Sequence, residues 1–88
     1  MKTENMTSSN GNKVPNQFII TDERGAKWFQ SYSTMIAVKG TDGKISLDKN
    51  SWDYSVTTGK YRNQFLGETK KETEAKIISG EYELVNLN

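Results

Sequence analysis

The chain contains no cysteine and no histidine. Without cysteine there is no disulfide framework and no thiolate metal site, which suits a reducing compartment. Without histidine, the commonest general base and the usual zinc ligand are both missing. Charge of one sign is missing too. Twelve Lys and Arg stand against eleven Asp and Glu, a net charge of +1, whereas a protein that coats nucleic acid is ordinarily far more basic. No apolar run approaches the roughly 20 residues that span a bilayer, and the first residues lack a signal peptide's apolar core. A cytoplasmic protein is expected.

The carboxylates worth weighing are Asp22, Glu23, Asp42, Asp48 and Asp53. Most sit in turns, where Asp serves the backbone. Asp42-Gly43 reads as a hairpin turn, and Thr41-Asp42-Gly43-Lys44 lacks the alternating oxygen ligands of a calcium loop. Gly40, Gly43 and Gly59 have the wrong spacing for a phosphate cradle. Asp53, between two aromatics and before a helix, is the acid of most interest, as a cap or a partner for a ring hydroxyl. The reading is a non-enzymatic protein with no metal and no cofactor.

What is present is aromatic. Trp52 to Gly67 holds four of the nine aromatics. Tyr54, Thr58, Tyr61 and Phe65 fall at i, i+4, i+7 and i+11, so a helix here buries one aromatic stripe. Ser55 or Thr57 caps its start and Gly67 its end. Gly59 opposes the helix by about 1 kcal/mol relative to Ala. Lys60 and Asn63 fall on the opposite face, with Arg62 at the flank.

Residues 1 to 15 are polar and nearly free of aliphatics, which predicts a flexible N-terminal tail. Gln17 to Thr21 predicts a first strand and Asp22 to Gly25 a turn. Ala26 to Lys39 predicts a second strand, with a bulge or break near Ser31-Tyr32-Ser33-Thr34. The bulkier parity, Trp28, Gln30, Tyr32, Thr34, Ile36 and Val38, is assigned to the core. Lys44 to Asp48 returns as a third strand. Thr69 to Glu72 matches a capping box and predicts a second helix to about Ser79, with Ala75 and Ile78 inward. Tyr82 to Leu87 reads as a last strand whose edge is open to another chain. The expected domain, residues 16 to 88, is α+β: a three-stranded antiparallel meander, two short helices and a C-terminal strand.

The run Trp52-Asp53-Tyr54-Ser55-x-Thr57-Thr58-x-Lys60-Tyr61, followed by Phe65-Leu66-Gly67 and Ser79-Gly80-Glu81-Tyr82, resembles a family of small uncharacterised proteins of bacteriophages and related mobile elements. Phe29 to Tyr32 and Ile36-Ala37 fit it as well. The resemblance covers about residues 27 to 87. It implies a phage or prophage origin, hence a host cytoplasm, and implies no activity.

Three functions follow as expectations. The first is an accessory protein that binds and modulates a host protein, counter-defence included. The second is a nucleic-acid-binding module using a basic helical face with stacking aromatics; the Glu68, Glu72 and Glu74 run weakens it. The third is an oligomeric structural part of a phage, which needs an exposed apolar patch. The binding residues expected are Lys60, Tyr61, Arg62, Lys70 and Lys71, Tyr and Arg being favoured at hot spots.

Overall fold

A computed structural model describes all 88 residues. Eight elements run β1 (Lys2–Thr7), β2 (Lys13–Thr21), β3 (Lys27–Ser31), β4 (Thr34–Lys39), β5 (Ile45–Asp48), α1 (Val56–Leu66), α2 (Lys70–Ser79) and β6 (Glu83–Val85). The strands form one six-stranded sheet in the order β1-β2-β3-β4-β5-β6. The first five pair antiparallel, as a meander. β6 pairs parallel to β5, because the two helices carry the chain back across the sheet before it resumes. Such a return is what a parallel pair requires.

The α+β class holds, but the three-stranded meander does not. Two differences account for the extra strands. First, residues 1 to 15, expected as a tail, supply β1 and the start of β2. Met6 is buried in the core, and the Asn5 side-chain amide donates to the Val14 carbonyl at 2.9 Å. One well-placed methionine in a paired hairpin offsets a polar composition. Asn10-Gly11 was the legible signal: Gly11 takes φ +80° in the turn, the chemistry a tight hairpin needs. Pro15 is tolerated because it lies where the β1–β2 register shifts, so no ladder amide is demanded of it. Asn16 turns there with φ +66°.

Second, Ala26 to Lys39 is two strands joined by a Tyr32-Ser33 turn; along β3 the buried face is the opposite of the one assigned, while Ile36 of the assigned set is buried in β4. Phe29 and Ser31 are buried, whereas Trp28 is only half-buried. β4 then carries a bulge opposite Phe29 and Gln30, so that Ile36 and Ala37 both turn inward, each fully buried. Bulk misled because both faces of this sheet are apolar.

Cross-strand partners share a face. The row Ile19, Phe29, Ala37, Leu47 and Leu84 faces the helices. Phe29 meets Phe65 of α1 with ring centroids 5.8 Å apart. The core comprises Met6, Phe29, Ile36, Ala37, Leu47, Tyr61, Phe65 and Tyr82.

The helices start and stop where the sequence places them. Ser55 caps α1, its hydroxyl accepting from the Thr58 amide at 3.1 Å. Thr69 and Glu72 form a complete capping box on α2. Gly67 and Gly80 end the two helices in the left-handed conformation. Three inward assignments fail. Tyr54 precedes the cap and is 71% exposed, and Ile78 is 86% exposed; Ala75 is exposed as well. α2 instead turns Thr73 inward. It docks through a polar knot rather than an apolar stripe: Glu68 accepts from Thr73 Oγ1 at 2.6 Å, from Lys76 Nζ at 2.7 Å and from the Tyr82 hydroxyl at 2.7 Å.

That knot gives the fold an acid limb. Glu68 has only 5% of its side chain exposed. Burial pushes its pKa up, but the hydrogen bonds from Lys76, Thr73 and Tyr82 outweigh burial and hold it below the ordinary 4.5. Burial and the same carboxylate push Tyr82 up to about 12. Because the folded pKa of Glu68 lies below its unfolded value, its contribution is complete above pH 4.5 and is lost as pH falls through the folded value. Glu68→Gln is therefore expected to cost about 1–3 kcal/mol near neutral pH and to flatten the fall of stability in acid. Urea titrations from neutral to acid pH check this; parallel curves for the two proteins would contradict it.

Candidate functional site

The W-D-Y-S-x-T-T-x-K-Y run forms the entry to α1 and builds an open groove there. Its volume is about 760 Å³, with Asp53, Ser55, Val56, Gly59, Lys60, Arg62, Asn63 and Lys70 in its lining. Several residues of the run have a mechanical task. Trp52 lends its carbonyl to Arg62 Nη1 at 2.8 Å, and its ring lies 5.2 Å from the guanidinium carbon. Asp53 accepts from the same Nη1 at 3.2 Å and pairs with Lys70 at 2.7 Å. Thr58 Oγ1 lies 3.0 Å from Ser31 Oγ, which fastens α1 to the end of β3. Gly59 stands against the guanidinium: a Cβ there would meet both terminal nitrogens at 3.6 Å.

The five residues expected to bind divide. Arg62 is 1% exposed and Tyr61 6% exposed, so neither offers a surface. Arg62 Nη2 also donates to Asn63 Oδ1 at 2.9 Å, while its buried Nε has no partner. Its helical position suggested a flank, and the Trp52–Asp53 loop folds over it. Lys70 is half exposed but committed to Asp53, whose carboxyl the Lys70 hydrogen bond holds below the usual range with help from Arg62. Lys60 lines the groove, its ammonium 5.5 Å from the Tyr61 ring centroid. Lys71 is exposed and lies outside the groove.

What sequence reasoning left out is the apolar material at the surface. Tyr54, Val56 and Tyr32 are 71%, 92% and 60% exposed. Tyr32 and Tyr54 line a second groove of about 300 Å³ with Ser31, Ser33, Thr34 and Ile36, so the segment Tyr54–Val56 is the ridge between two grooves. Tyr32 is held with φ +55°, a conformation that costs a non-glycine residue about 1–2 kcal/mol. Its amide donates to the Asn16 carbonyl at 2.6 Å, and its carbonyl accepts from Gln30 Nε2 at 2.6 Å. The signal in the sequence was the mismatch of Tyr54 with a cap at Ser55: a residue before the cap cannot join the helix's buried stripe.

The profile of a family of unknown function, DUF8033, matches residues 1–81. The chain belongs to that family. The match takes in β1, so the family's domain includes the N-terminal residues and runs through both helices. No curated protein and no solved structure matches the chain. No helix is long and apolar enough to cross a membrane.

Proposed function

We propose that the protein is a non-catalytic, phage-type accessory protein that binds and modulates a protein of the host cytoplasm, counter-defence being one such role. The observation that carries this is the ridge of Tyr54 and Val56 beside Tyr32. Two tyrosines and a valine stand in solvent on a frame pinned by Asp53, Arg62 and Lys70, and one of the tyrosines is kept in a strained backbone. Tyrosine supplies large contact area at little entropic cost, and a pinned frame lowers the cost of binding further. Lys60 at the flank favours an acidic rim on the partner. The phage origin rests on the motif described above.

The nucleic-acid reading draws less support. Of its basic residues, Arg62 is buried and Lys70 is paired with Asp53, which leaves Lys60 and Lys71 for phosphate contacts.

The test is capture from host lysate by the tagged protein, with and without nuclease, read by mass spectrometry beside Tyr54→Ala and Val56→Ala. Both side chains are so exposed that their removal is expected to change stability by less than about 0.5 kcal/mol. A stoichiometric protein that survives nuclease and is lost from both variants is the expected result. No partner, or capture that vanishes with nuclease, overturns the reading.

A further inference from the structure

We infer that the face of the sheet turned away from the helices is a homodimer interface, covered by the same face of a second copy of this chain. The inference is independent of the host-binding ridge, which lies on the helical side.

The pairing registers define that face. One row runs Thr3, Ile20, Trp28, Val38, Ser46 and Glu83; the next runs Asn5, Phe18, Gln30 and Met35. Phe18, Ile20, Trp28, Met35 and Val38 are half-buried by their own neighbours, and none of them packs against the core. A sheet face that meets water ordinarily reads polar. This one carries five large apolar side chains in its middle. A groove of about 440 Å³ lies on it, lined by Met1, Ile20, Asp22, Trp28, Met35 and Leu87.

Charge decides the occupant. Across a two-fold axis each residue meets its own surroundings again, so a central charge would face its like. Within these two rows the only charged residue is Glu83, on the outermost strand. The cations of the neighbouring rows, Lys27 and Lys39, fall on the helical side: Lys39 Nζ reaches the Phe65 carbonyl at 2.6 Å. A centre of Trp, Phe and Met is the composition of an interface core, and the acid at its edge, Asp22, is already engaged by Trp28 Nε1 at 3.1 Å. Size agrees. The molecule measures 35 × 29 × 20 Å. Two stacked layers fit the short axis, so the sheet spans the broad side and offers on the order of the 800 Å² per copy that a specific interface needs. Two such sheets stack about 10 Å apart with strands within about 30° of parallel.

Sedimentation equilibrium of the full chain over a wide concentration range tests this. The wild type is expected at twice its 10.0 kDa mass. Val38→Lys and Ser46→Lys, which set like charges across the axis, are each expected to weaken association about tenfold or more. Ser46 is already polar, so its variant keeps the fold even if Val38→Lys does not; circular dichroism in dilute solution checks both. A monomeric wild type, or a dimer indifferent to both lysines, overturns the inference. So does a monomer whose host capture is lost on Val38→Lys, which would give the face to another protein. Loss of capture on Tyr54→Ala with an unchanged dimer mass bears on the host-binding reading alone.

Discussion

Phe29→Ala is expected to lower the free energy of unfolding by about 4 kcal/mol. The side chain is wholly buried in the middle of the sheet, facing Phe65 of α1. Its removal leaves a cavity that five paired strands cannot collapse to fill. Trp28→Ala, one residue away, is expected to cost less than half as much when measured in dilute solution. The indole lies on the helix-free face, and its chief intramolecular tie is the hydrogen bond from Nε1 to Asp22 Oδ2 at 3.1 Å. That bond leaves a trace of its own, since the indole is the main reason the Asp22 carboxyl is held below its ordinary value. Urea denaturation at low protein concentration checks the pair. Equal losses, or a larger loss at Trp28, would mean that the sheet is turned over.

Arg62→Ala is expected to cost about 3 kcal/mol. The guanidinium makes one bond each to the Trp52 carbonyl, Asp53 and Asn63, and its stem fills space that alanine leaves empty. Removing it does not strand Asp53, because Lys70 still holds that carboxylate. The opposite substitution, Asp53→Ala, leaves a buried cation with only a carbonyl and an amide oxygen for company. It is expected to cost a comparable amount even though Asp53 itself is exposed. Arg62→Lys keeps the charge and loses the planar fork, so it recovers little of the loss. If Arg62 were a solvated contact residue, its alanine variant would unfold within about 0.5 kcal/mol of wild type, and a double-mutant cycle with Asp53 would show no coupling.

The sequence by itself determined the local punctuation. Ser55 and Thr69 start the helices and Gly67 and Gly80 stop them, because capping chemistry acts within one turn and needs no distant partner. The Thr41-Asp42-Gly43 turn and the strand after it were legible for the same reason. The stripe of Thr58, Tyr61 and Phe65 was legible because helical period alone brings the three together.

Only the tertiary structure decided which face of each element is inside. Trp28 and Phe29 are both large and apolar, and their alternation cannot say which side the helices take. Ile78 and Ile77 pose the same ambiguity on α2, where a knot around Glu68, spread over residues 68 to 82, fixed the answer. The Asn10-Gly11 turn hinted at a hairpin, but that Met6 of β1 reaches the core was settled only by the packing. Arg62 shows the limit most plainly. Helical position put it at a surface flank, and a loop nine residues earlier in the chain closed over it. Burial is a property of what packs against a residue, and one chain read in order does not contain that.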